Sequence, residues 1–361
     1  MSSANTPHEL TNPIRGLTEW VQANLEASSA RPEEPLLHKG RFIEVYDPVL
    51  GLGLVGQRAA DHLAVLISLD EADLLRAYSP DGPFEDEAIR DKLRALAEER
   101  DAQHLKHLLL CDWHGDPYGP TLYDSQITLE LCRLAPRFTG LRSLYVGDAL
   151  TRTGPPQSYV QGVGALLRSF PDLEELHVCS RVSLLGVLRH ARLKTLRVET
   201  LEEAYEVMLD LSRSHLPSLE RLDLWLTDMG GGGGFDEFAD DIDQDELELF
   251  APLLSGKATP ALQHLALCNT WLSDPLVIEL TASPLFGRLR HLDLSGGTLT
   301  DRGARALIAA AAHTRLETLT ISRNFVSASA REHLRQAGAW TLRDSGQRLD
   351  DWVAPEFADV F

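Results

Sequence analysis

The chain has 361 residues, 43% of them hydrophobic, which is enough to enclose a substantial apolar core in one or two structural units. Its 34 Lys and Arg against 54 Asp and Glu leave a formal net charge of −20, so nucleic acid and anionic membrane surfaces are poor partners on charge alone. The four cysteines, Cys111, Cys132, Cys179 and Cys268, are widely spread without CxxC spacing, which argues for small core or turn residues and against a disulfide framework or zinc site.

Residues 1–35 combine a helical pattern at Ile14 to Leu25 with the polar run Ser28 to Pro35, and are expected to form a loosely ordered terminus. The first residues lack the basic and apolar segments of a secretory signal, and no apolar run reaches the roughly 20 residues of a membrane span. A cytoplasmic protein is the expectation. Residues 36–103 read as an α/β capping region, with strands at Phe42 to Tyr46 and Leu63 to Leu69 and a charged helix from Glu85 to Arg100. Within it, Gly51, Gly53 and Gly56 match the glycine spacing of a dinucleotide fingerprint, with Asp70 downstream. Less than two helical turns fit between Gly56 and the strand near Leu63, whereas the fingerprint needs a full helix to hold the pyrophosphate, so a glycine-rich turn is the better reading.

From 104 to 338 the pattern L-x-x-L-x-[LVI] recurs about eight times, opening at Leu105, Leu141, Leu173, Leu193, Leu219, Leu262, Leu289 and Leu316. In each copy the alternating apolar residues fall on one side of a short strand and the residues between them on the other. One such strand cannot bury its apolar side, so the units require an array with a continuous core. Helical stretches lie between the strands, one of them capped at Thr300 or Asp301. The interval from Leu219 to Leu262 is 43 residues against 27 for the last two, and it holds an insertion at 229–244 that contains five consecutive glycines, Gly230 to Gly234. Such a run resists a single backbone conformation, so a mobile loop is predicted there. The acidic stretch Asp240 to Glu248 has the alternating carboxylates of a calcium loop, but Glu246 replaces its turn glycine and Pro252 its bidentate glutamate. A solvated acidic loop is expected instead. Residues 339–361 leave the pattern and are expected to close the last core face with Trp340, Leu342, Leu349 and Trp352. No phosphate-loop, HExxH or GxSxG motif occurs.

The ladder resembles the leucine-rich repeat superfamily, and its helix-containing repeats look like the ribonuclease-inhibitor-like branch. The whole chain also resembles uncharacterised bacterial leucine-rich repeat proteins in which a non-repeat part precedes the repeats. What the resemblance implies is an α/β solenoid with a curved parallel sheet on its concave face, helices on its convex face and an N-terminal α/β cap. The superfamily closes the turn after each strand with Asn or Cys; here Cys268-Asn269 and Asn324 can serve, and other copies depart from the pattern. No activity is implied.

On the resemblance, the outward strand positions form the concave binding surface. Taken in order they include Tyr145, His177, Arg197, then Arg221, Asp223 and Trp225, then His264, and finally His291 and Asp293. The sequence reading is a non-enzymatic scaffold that binds a protein with a basic patch on this surface, needs no cofactor, and uses Trp225 and Tyr145 as anchors that contribute little to the core. The alternative is a metal-dependent or small-molecule enzyme accessory: His264 and His291 are neighbours across adjacent strands with Asp293 on the same side, and two imidazoles with a carboxylate can hold a divalent metal or act as acid and base.

Overall fold

The computed structural model describes residues 36–38, 41–45, 63–67, 85–111, 126–147, 158–226, 247–270 and 272–347. The expected loose terminus, the Gly51 to Gly56 turn, the insertion at 229–244 and the tail residues Leu349 and Trp352 lie outside them. The described strands form one 13-stranded sheet whose order follows the chain, with a single strand off the path. β1 (Leu36–His38) is antiparallel to β2 (Arg41–Val45), and β2 is parallel to β3 (Leu63–Ile67). From there the sheet runs parallel through β4 (His107–Cys111), β5 (Ser143–Gly147), β7 (Glu175–Leu184), β8 (Thr195–Glu202) and β9 (Arg221–Leu226). It continues through β10 (His264–Cys268), β11 (His291–Asp293), β12 (Thr318–Thr320) and β13 (Thr341–Arg343), while β6 (Tyr159–Gln161) pairs only with the far end of β7.

Register follows the leucine period. Leu108, Leu144, Leu176, Leu196, Leu222, Leu265, Leu292 and Leu319 sit directly opposite one another across successive strands. A shift of one residue would turn every leucine to the other face, so burial of one face fixes the pairing. The strands expected in the capping region join the same sheet, and α1 (Glu85–Glu98) supplies the start of the apolar layer through Ile89, Leu93 and Leu96. The layer continues on α2 (Gln126–Leu134), α3 (Val163–Ser169), α4 (Ala204–Ser212), α5 (Ala251–Leu254), α6 (Ser273–Ala282), α7 (Asp301–Ala310) and α8 (Ala328–Ala337). No α-helix lies between β7 and β8: only 20 residues separate Leu173 from Leu193, and β7 takes ten of them. No described helix is long and apolar enough to cross a membrane.

Side chains tie neighbouring units together outside the core. Thr300 caps α7 by accepting from the Arg302 amide, whereas Asp301 reaches the next unit and accepts from the Ser327 amide and hydroxyl, both at 2.8 Å. Asp274 does the same one unit earlier, accepting from the amides of Thr300 and Gly303. Asn324 fulfils the turn role expected of it: its carbonyl accepts from the Leu299 amide and its NH2 donates to Leu294, Ile321 and Ser322 carbonyls. Gly147 is required at the end of β5, since at φ +143° an added Cβ would lie 1.6 Å from the Cys179 carbonyl oxygen. At the far end the ladder outlasts the expected repeats: Leu342 pairs with Leu319, and Trp340 is buried with its indole N–H donated to the Leu334 carbonyl.

Candidate functional site

The sheet face opposite the helices carries the residues between the leucines, and the register sorts them into three rows. The first holds Thr195, Arg221, His264, His291 and Thr318; the second holds Tyr145, His177, Arg197, Asp223, Ala266, Asp293 and Thr320. A third row, one alternation beyond the consensus, runs Cys179, Glu199, Trp225 and Cys268. All nine residues singled out from the sequence lie on this face, but they are not equally accessible. Arg221 is exposed and His264, His291, Arg197 and Asp293 are half-buried, whereas Tyr145 and Trp225 are 4% and 5% exposed. The expectation that Tyr145 and Trp225 stand free of the packing is therefore corrected: both are packed in. Cys179 and Cys268 are buried, as small core or turn residues are expected to be, but on this face and not among the leucines. All four cysteines are free thiols.

Two ionic clusters occupy the centre. In the first, Glu199 is 1% exposed and its Oε1 is shared by the Arg197 guanidinium and by His177 Nε2 at 2.9 Å. The His177 ring in turn meets the Tyr145 ring edge to face at 4.5 Å between centroids. Burial disfavours the Glu199 charge, but Arg197 and His177 outweigh it and hold the carboxyl below its ordinary range. In the second cluster Arg221 Nε donates to Asp223 Oδ2 at 2.7 Å, and His264 Nε2 stands 3.2 Å from Oδ1 as an ion-pair contact off the line of a hydrogen bond. Burial opposes the Asp223 charge too, yet contact with His264 and the charges of Arg221 and Arg197 pull its carboxyl well below the usual carboxylate range.

Asp293 behaves differently from Asp223, two strands away on the same row. Its Oδ1 accepts from the Ser295 amide at 2.9 Å and from the Ser295 hydroxyl at 2.5 Å, and burial together with the Asp223 charge pushes its carboxyl up. His264 and His291 are adjacent as the period demands, with ring centroids 5.4 Å apart, and burial plus His264 pushes His291 down toward neutrality. The expected corner of His264, His291 and Asp293 is not assembled: His264 turns to Asp223 and Asp293 to Ser295. Among the described residues no three His, Cys, Asp or Glu side chains are placed to hold a metal ion.

A groove of about 630 Å³ opens over this region, lined by Arg197 and Glu199 of the first cluster, by the second cluster, and by Asp293, Thr320 and Arg343. A second, of about 290 Å³, lies over His107, Tyr145 and His177. Arg197, Arg221 and Asp223 line both, so the two form one trough from β4 to β13. Glu199 was not visible from the repeat, because the consensus ends at Val198; carrying the period-2 alternation one step further finds it and Cys268.

No family model matches this chain, and no curated protein matches it. Among solved structures, a protein from Bacteroides fragilis is 21% identical over 74% of this chain and 73% of its own length, with a TM-score of 0.55, a likeness of fold alone. An internalin from Listeria monocytogenes aligns over 95% of this chain and 98% of its own with 13% identity, but its TM-score of 0.28 carries no argument.

Proposed function

We propose that this chain is a leucine-rich repeat solenoid, of the ribonuclease-inhibitor-like kind, that acts without catalysis by binding a protein along the trough of its helix-free sheet face. The observation that carries this reading is the length of the trough. Two grooves share the Arg197, Arg221 and Asp223 ridge and together cross nine strands, a shape suited to an extended polypeptide surface more than to a compact small molecule. The polar groups are pre-paired and held by burial, so little ordering is required on association. With a net charge of −20, long-range attraction favours a partner with a basic patch, and a cytoplasmic location fits such a role.

The test is site-directed photocrosslinking in extracts of the cells that make the protein. A photoreactive residue replacing His291 or Thr318, both half-buried on the trough, should give a discrete crosslinked protein, and the same residue replacing exposed Glu332 on α8 should not. Equal crosslinking from both sides, or none from the trough, would remove the proposal.

A further inference from the structure

We infer that the trough contains a preformed seat for a guanidinium group, between Asp223 and Asp293 over Ala266, and that it takes an arginine side chain of the protein partner. The inference rests on reading this face as a protein-binding surface. On the second row Asp223 pairs with Ala266 and Ala266 with Asp293, so two carboxylates roughly 10 Å apart at the backbone, two strand spacings, flank a residue with no side chain beyond Cβ. That leaves a notch in the larger groove, bordered by Trp225 and Cys268 on the third row and by His264 and His291 on the first.

What the notch lacks is a donor. Every other carboxylate at the centre of the face has its cation: Glu199 has Arg197 and Asp223 has Arg221. Asp293 has only Ser295, on Oδ1, and its Oδ2 accepts no hydrogen bond from the described residues. Two buried groups lining the same groove are also incomplete among the described residues. Glu199 Oε2, on a residue 1% exposed, and Asp223 Oδ1, on a residue 7% exposed, accept no hydrogen bond. Buried polar groups of this kind normally find partners.

The surplus is of acceptors, and of negative charge at Asp293. A planar cation with five N–H donors answers both, binding carboxylates in a forked geometry and lying against an indole. Burial and the neighbouring Asp223 charge disfavour ionised Asp293 in the free protein, and a bound cation relieves that cost. Of the cations lining the groove, Arg197 is held on Glu199, Arg221 and His264 are held on Asp223, His291 is driven toward its neutral form, and Arg343 stands two strands beyond Asp293 on the second row.

The experiment is a titration of the full-length protein with N-acetyl-arginine N-methylamide, followed by the indole N–H resonances of its six tryptophans, with Trp225 identified by Trp225→Phe. Saturable displacement of the Trp225 signal in the millimolar range is expected for one side chain. The isosteric, uncharged citrulline derivative should leave it in place. Asp293→Asn should weaken binding roughly tenfold or more, as should Ala266→Met, which fills the notch, while Glu317→Gln on the exposed Arg290 pair should not. Equal binding of citrulline, undiminished binding by Asp293→Asn or Ala266→Met, or absence of saturation would overturn the seat. Binding of agmatine with exclusion of the blocked residue would overturn the side-chain source. Trough crosslinks without arginine binding would defeat this inference alone, and arginine binding without trough crosslinks would defeat the wider reading alone.

Discussion

The two faces of β9 bury consecutive residues almost equally and for opposite reasons. Leu222 is 1% exposed and Asp223 7%, yet the leucine is inside because water rejects it, whereas the aspartate is inside despite burial opposing its charge. On the helix side each residue contributes by filling volume, and neighbours are interchangeable in kind. On the trough side stability depends on specific pairs, Arg197 with Glu199 and Arg221 with Asp223, and a missing partner is worse than a missing pair. Depth alone therefore does not say what a position will tolerate.

The largest test of that difference is Arg197→Ala, which leaves the buried Glu199 carboxylate with only His177 as a partner and should cost about 3–5 kcal/mol in denaturant unfolding. Replacing both partners by apolar residues of similar size, Arg197→Met with Glu199→Leu, should recover most of that loss. A double variant no better than the single one would show that the pair is not a unit. On the other face, Leu222→Ala or Leu292→Ala should each cost about 2–5 kcal/mol whatever is done to the partners, while exposed Glu220→Ala should stay within about 0.5 kcal/mol. Trp225→Ala belongs with the leucines because it too is packed in, at about 3–5 kcal/mol. Unchanged melting of Trp225→Ala would restore the idea of a free-standing anchor.

A smaller effect separates caps from core. Thr300→Ala removes the acceptor for the Arg302 amide, and Ser327→Ala that for the Ala330 amide, each worth about 1 kcal/mol by chemical denaturation. Losses at Leu222 scale, from either cap, would mean that these turns carry more of the array than local geometry indicates.

The last test carries the opposite sign. The folded-state pKa of Asp293 is raised, so the folded protein binds more protons than the unfolded chain between the two values, and stability falls as pH rises through that window. Asp293→Asn keeps an oxygen for Ser295 and removes the charge, so its melting temperature should rise slightly at pH 7, with the gain vanishing at acid pH where the wild-type carboxyl is protonated. Asp223, whose folded-state pKa is depressed, gives the mirror image: Asp223→Asn should lower stability at pH 7, and the difference should shrink as the pH falls through the carboxylate range. Equal signs for the two variants would contradict the assignment of one as compensated and the other as not. A stability gain at a proposed contact residue also fits a site that trades stability for binding.

The leucine period by itself determined the strand faces, the pairing register and the adjacency of His264 with His291, because a period of two and a buried face leave one alignment. The sequence also narrowed the helix cap to Thr300 or Asp301 and marked Asn324 as a turn residue, and the local hydrogen bonds assign the cap to Thr300 and the turn to Asn324. Only the tertiary structure decided what the polar face is made of. Periodicity assigns Trp225 and Tyr145 to a side of the sheet but says nothing about how deeply that side is packed. It places Asp293 near two imidazoles but cannot tell that Ser295 captures it while Asp223 takes His264, since side-chain pairing depends on distances of a few ångströms that strand spacing does not fix. Glu199 lies one residue past the consensus, where only an extension of the strand alternation reaches it, and its importance comes from burial beside Arg197, a property of the assembled sheet and not of any segment of the chain.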